Sequence, residues 1–185
     1  MIMCFTGRRP KDLFGYEKAR YLPLMEALKS CLRQHINEGY DTFISGGAQG
    51  FDQLSFWAVN RLKDEYSHIR NIVYVPFEGQ ERIWKDTGLF SKHEYRLMLK
   101  FSDEIHVVTP GNIGNKADVV KALHDRNHAM VNTSDAVFGL FPDLSWQSPT
   151  VKGGTAECLK YAHSAGKPIY QLSNATLRGW WNGEG

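Results

Sequence analysis

Short runs rich in Val, Ile and Phe alternate along this chain with longer stretches in which apolar residues recur every three or four positions. The short runs read as strands buried on both faces, and the longer ones as helices laying one apolar stripe on a sheet. Six strands are predicted, at residues 1–6, 41–45, 71–76, 104–109, 136–141 and 168–172. Tyr21, Leu24, Met25, Leu28, Leu32 and Ile36 form one helical stripe, with Gly39 as its terminator. Phe51, Leu54, Ala58 and Leu62 form a second, Val120, Leu123, Met130 and Val131 a third, and Leu159 with Ala162 sits on a fourth helix. The order defines an α/β class: a single Rossmann-like domain at 1–177, its mostly parallel sheet of about six strands flanked by helices. Residues 178–185, polar apart from Trp180 and Trp181, read as a C-terminal tail, and 77–101 and 109–116 as loops beside a ligand.

Glycines fall where strands are predicted to hand over to helices. Ser45-Gly46-Gly47-Ala48-Gln49-Gly50-Phe51-Asp52 follows the second strand and opens a helix, and Lys152-Gly153-Gly154-Thr155 repeats the arrangement after the fifth. Glycine there permits positive φ and close backbone approach, so unpaired amides at a helix start can point at a phosphate. Thr6-Gly7-Arg8-Arg9-Pro10 ends the first strand, on the sheet edge where open α/β sheets take ligands. Ser45–Gly50 is therefore the expected centre of a phosphate seat, supported by Thr6–Arg9 and Gly153–Thr155. Each element also has a structural reading: the glycines as tight turns, Arg8 and Arg9 as a solvated pair, Asp52 as a helix cap instead of a ribose partner. Thr155 is open between capping its helix and donating to a phosphate, with Lys152 adding charge.

Composition narrows this picture. The chain has 185 residues, 42% of them hydrophobic, enough for one core. Its 22 basic and 20 acidic residues leave a formal charge of +2, which points away from an extended nucleic-acid surface. Cys4, Cys31 and Cys158 are scattered and odd in number, so a reducing, cytoplasmic setting is expected, with neither disulfides nor zinc. No targeting or membrane segment is expected, and self-association is left open.

The motifs TGRRP at Thr6–Pro10, SGGAQGFD at Ser45–Asp52, RNHAMVNTSDAVFGLF at 126–141 and KGGTAECLKYA at 152–162 resemble those of the YpsA family of the SLOG superfamily. That superfamily includes the LOG-type nucleotide phosphoribohydrolases and the DprA single-strand DNA-binding proteins. The resemblance implies a Rossmann-like fold with a nucleotide or nucleotide-derived, ADP-ribose-like ligand on the glycine turns. Sensing or regulation is the leading expectation; nucleotide N-glycosidic hydrolysis and DprA-like DNA binding are the alternatives. No cofactor is expected. Arg8 stands where the YpsA-like pattern has histidine, so it binds anions but does not shuttle protons near neutrality. Arg126-Asn127-x-x-Met130 is similar to the phosphoribohydrolase Arg-Lys-x-x-Met element, which makes Arg126 and Glu157 the catalytic candidates. Glu157, however, comes two residues after Thr155 where the phosphoribohydrolases place glutamate three after, a position filled here by Cys158. One residue turns a helical side chain by about 100°.

The remaining polar residues have bland readings. Asp135 closes a turn or meets a ligand, and His124 and His128, four apart, lack a third metal ligand. Cys158 packs against the sheet or gains thiolate character at a helix start. Glu78, Glu81, Arg82 and Trp84 are placed to cover the crevice.

Overall fold

The first strand, β1 (Ile2–Gly7), is apolar on both sides because it lies in the middle of the sheet. Its alternation sends Met3 and Phe5 to one core and Cys4 to another. A computed structural model describes residues 1–84, 86, 88–111 and 113–183. After β1 follow α1 (Leu22–Asn37), β2 (Thr42–Ser45), α2 (Phe51–Leu62), β3 (Arg70–Val75), α3 (Lys92–Phe101) and β4 (Glu104–Val107). The second half runs α4 (Lys116–Thr133), β5 (Ala136–Leu140), α5 (Gly154–Ser164), β6 (Ile169–Leu172) and β7 (Gly179–Asn182). The sheet order is β4-β3-β2-β1-β5-β6-β7, every pairing parallel except β6 with β7.

This is a doubly wound sheet. Winding moves outward from β1 through β2 to β4, then α4 carries the chain back across to β5, so the order reverses between β1 and β5. Leu24, Leu28 and Leu32 of α1 and Phe51, Leu54 and Ala58 of α2 bury one face with Phe5, Phe43 and Phe138. On the opposite face, Met130 and Val131 of α4 and Ala156, Leu159 and Ala162 of α5 meet Cys4, Ile44 and Val137. At the reversal point, the carboxyl ends of β1 and β5 diverge into loops on opposite faces, which opens a crevice there.

Two expectations change. The segment read as a loop at 77–101 ends in α3, which Ser91 caps by accepting the Glu94 backbone N–H at 3.1 Å. Ser91-x-x-Glu94 is the spacing of a capping box, a local signal masked by the mixed charge around it. The polar tail contains β7, a seventh strand that closes a hairpin on β6 with Trp181 opposite Tyr170. Trp181 is half-buried and sits edge-on to His35 and Tyr170, both 5.3 Å away between ring centres. Glu184 and Gly185 of that tail, and Asn112 of the 109–116 segment, lie outside the described residues.

His35 of α1 is fully buried among Tyr40, Phe138, Tyr170 and Trp181. Its Nδ1 lies 2.9 Å from the Glu38 carboxylate, while Nε2 is buried without a partner. The neutral ring that donates from Nδ1 and leaves Nε2 bare fits these surroundings, and burial pushes the His35 pKa below its ordinary value despite Glu38. The unfolded chain takes up this proton near pH 6.5 and the folded chain only lower, so stability is lost as pH falls below about 6.5. Each unit of depression amounts to about 1.4 kcal/mol. Urea unfolding between pH 7.5 and 5.5 is expected to show this loss in the wild type and a flatter profile in His35→Leu. Parallel profiles would place the acid sensitivity elsewhere; the other six of the seven histidines are exposed.

Candidate ligand-binding crevice

A hollow of about 350 Å³ opens at the β1/β5 reversal, lined by Thr6–Arg9 at the end of β1 and just beyond it, Ala48 of the β2–α2 turn, Asp52 at the start of α2, and Arg126 of α4. Lys152–Thr155 at the start of α5 complete it. The volume lies near the lower end of the usual range for small-molecule sites. Five side-chain cations line it, Arg8, Arg9, Lys11, Arg126 and Lys152, against two carboxylates, Asp12 and Asp52. An excess of three positive charges is thus gathered in one hollow of a chain whose formal charge is +2 overall.

The floor is a buried ion pair. Arg126, 4% exposed, reaches from α4 to place Nη1 3.3 Å from Asp52 Oδ2, which also accepts the Ala48 N–H at 3.3 Å. Burial pushes the Asp52 carboxyl above its ordinary range, against the pull of Arg126 and Arg9, and lowers Arg9 in turn. Arg126 Nε is buried with no protein partner. Arg8 is held differently, its guanidinium carbon 4.2 Å from the centre of the Phe141 ring and its Nε buried and unpartnered. An arginine pinned on an aromatic face keeps its plane and presents its remaining donors in a set direction.

The glycine turns divide by what occupies the space beside them. At Gly46 an added Cβ would fall on the Arg126 guanidinium and 2.8 Å from Asp52 Oδ2. At Gly47, with φ +68°, it would meet Met98 and Tyr95 of α3 at 2.9 and 3.0 Å, and at Gly50, with φ +99°, the Arg8 carbonyl oxygen at 2.5 Å. The chain's own groups therefore fill the places that the sequence reading reserves for phosphate at Ser45–Gly50. Ser45 is fully buried and its Oγ has no partner, and among Ser45, Gly46, Gly47, Ala48 and Gly50 it is Ala48 that reaches the crevice. Gly153 (φ +117°) and Gly154 are the opposite case, with nothing within 4 Å. No side chain caps α5, and its first residues, Gly154, Thr155 and Ala156, line the hollow. Of the two glycine turns, the one at the start of α5 is the one that opens on the crevice.

Thr155 does not cap α5. Its hydroxyl donates to the Gly7 carbonyl at 2.8 Å, tying the start of α5 to the end of β1. Arg126 and Glu157 are not brought together: Arg126 lines the crevice, while Glu157 points into an adjacent hollow with His128, Lys160 and Tyr161. Asp135 lies at the far end of the sheet, where Oδ2 accepts the Ile2 N–H at 2.7 Å. Cys158 is buried and pushed up to about 11 by desolvation, so it packs as a thiol. Glu78, Glu81, Arg82 and Trp84 do not line the crevice; instead neighbouring Gln80 reaches Tyr95 Oη at 2.8 Å behind Gly47. Lys11 and the apolar pair Val120 and Leu123 line the hollow without having been singled out for it. Lys11 directly follows the Arg-Arg-Pro run, a clustering of positive charge that could have marked it.

Fold and crevice together define a doubly wound α/β domain with a cationic hollow at its topological reversal. Residues 3–177 match the model of the family described as the YspA SLOG family, and the chain belongs to that family. It is 32% identical over 149 residues to the SPbeta prophage-derived protein YoqJ of Bacillus subtilis strain 168, covering 76% of this chain and 81% of that protein. It is 26% identical over 180 residues to the UPF0398 protein YpsA of the same organism, covering 96% and 94%. Among solved structures, one reporting the single-stranded DNA binding mode of DNA processing protein A from Helicobacter pylori superposes with a TM-score of 0.54 at 15% identity. That match covers 93% of this chain and 65% of the other, and it shows a shared fold. Among the described residues, no helix is long and apolar enough to cross a membrane.

Proposed function

We propose that the crevice binds a small nucleotide or nucleotide-derived ligand by its phosphate, in a sensing or regulatory role. The observation that carries this reading is the uncapped, open start of α5 at Gly153–Gly154, facing an excess of arginine and lysine charge. Helix-start amides and planar guanidiniums both favour phosphate, and the two reinforce one another in a partly enclosed hollow. In this reading Thr6, Gly7, Arg8, Arg9, Gly153 and Gly154 meet the anion. Asp52 and Arg126 form its floor, and Thr155 holds the two loops in register.

Hydrolysis of an N-glycosidic bond is less well supported, because Glu157 lies outside the crevice and Asp52 is committed to Arg126 and Ala48. A single DNA strand fits poorly with a hollow of about 350 Å³ and with near-balanced total charge.

The test is a melting-temperature titration with pyrophosphate, AMP, ADP and ADP-ribose. A ligand at a hundred times its dissociation constant adds about 2.7 kcal/mol of stability. Arg8→Ala and Gly154→Asp are expected to melt close to the wild type without ligand and to lose most of the shift; Gly154 has room for a side chain, so the new carboxylate acts by charge. No shift with any of the four, or a full shift in Gly154→Asp, overturns the assignment. Release of free base from AMP would favour hydrolysis, and a salt-sensitive gel shift with a single-stranded oligonucleotide would favour DNA.

A further inference from the structure

One edge of the sheet is open and carries a pattern that complements itself. Among the described residues, β4 has β3 on one side and no strand on the other. Such an edge presents unpaired backbone N–H and C=O groups. Ile105 of β4 is 46% exposed, and Phe101, which ends α3, is 51% exposed beside the half-buried Trp57, ring centres 6.1 Å apart. Ile105 stands opposite Val73 in the ladder, on the face that α3 covers, so alternation puts Glu104 and His106 on the other face. There the His106 ring lies 4.7 Å from that of Tyr74, between centres, and Glu104 binds both His106 and Arg70. The outer edge thus holds an acid and an imidazole two residues apart on one face, with an exposed isoleucine between them on the other.

We propose that two copies of this chain join β4 to β4, antiparallel, about a two-fold axis at Ile105. Such an interface is made of the same patch on both copies, so the patch must suit itself. Opposed residues of an antiparallel pair point to the same face, so the axis has to pass through a residue for the two sheets to keep their faces aligned. An axis at Glu104 would set two carboxylates against each other, and one at His106 two imidazoles. With the axis at Ile105, Glu104 of each copy faces His106 of the other, and Ile105 meets its own copy. Opposite-charge and apolar cross-strand pairs both stabilise a ladder. Asp103, held by Lys63 at 2.6 Å, falls opposite Val107. The sheet then runs unbroken through both copies, and the crevice at the β1/β5 reversal lies three strands away from the joint.

Sedimentation velocity of the full chain across a micromolar concentration series tests this. The wild type is expected to form a species of twice the monomer mass. Ile105→Lys, which sets two ammonium groups at the axis, is expected to weaken that species at least about tenfold. Glu104→Lys removes the attraction and His106→Glu opposes carboxylates, so each is expected to weaken self-association. Mixed together, these two variants are expected to pair with one another, because the new lysine of one faces the new glutamate of the other while the native Glu104 and His106 still meet. All three side chains are largely exposed, and a wild-type circular dichroism spectrum in each variant separates a lost joint from a lost fold. A wild type that stays monomeric, a dimer that survives Ile105→Lys, or two variants that do not pair on mixing overturns the joint, and none of these results bears on the crevice.

Discussion

Gly46→Ala is expected to destabilise the folded protein by about 3 kcal/mol or more, the scale on which breaking a buried ion pair is felt. The backbone does not demand glycine there, since Gly46 is not among the positions with positive φ. It demands room: a methyl group would fall on the Arg126 guanidinium and drive it from Asp52. Either Arg126 moves and leaves both charges buried without their partners, or β2 shifts against its neighbours. Urea unfolding measures the loss. Gly154→Ala serves as the control, in open space, with a change within about 0.5 kcal/mol. The clash mechanism also requires that Gly46→Ala and Arg126→Ala be strongly non-additive in the double mutant. Wild-type stability in Gly46→Ala would show that the pair in the floor is not held as described.

Gly50→Ala is expected to cost a comparable amount for a different reason. At φ +99° an L side chain is strained, and its Cβ would sit 2.5 Å from the Arg8 carbonyl oxygen and 3.1 Å from Arg9 Cα. That carbonyl accepts the Phe51 N–H at 3.2 Å, so the first turn of α2 and the loop after β1 are joined at this point. Strain of about 1–2 kcal/mol adds to overpacking of about 1–3 kcal/mol. For a chain of this size the melting temperature is expected to fall by about 4–20 °C. Because the loop carries Arg8 and Arg9, the ligand-induced melting shift proposed above is expected to shrink as well. A variant that melts lower yet keeps the full ligand shift would separate this joint from the crevice.

Much of the fold is legible in order and pattern alone. Residues 1–6, 41–45, 71–76, 104–109, 136–141 and 168–172 all overlap observed strands; apart from β4, an exposed edge strand, these are mostly buried and therefore largely apolar. α3 was hidden because only Tyr95 and Met98 are buried on it, too few to print a stripe. β7 was hidden because a four-residue edge strand needs its partner to be recognised: Trp181 is unremarkable until Tyr170 and His35 are seen beside it.

The glycine turns divide most clearly between the two levels. The sequence by itself determined that the β1, β2 and β5 ends carry flexible, small or cationic residues, and winding order then places those ends at one edge. Only tertiary structure decided which glycines face open space and which face protein. Gly46, Gly47 and Gly50 are small because Arg126, Met98 with Tyr95, and the Arg8 carbonyl occupy the space beside them, and those groups come from distant parts of the chain. Gly153 and Gly154 have nothing beside them. Local sequence records that a side chain is absent; what fills the space it leaves is set by long-range packing.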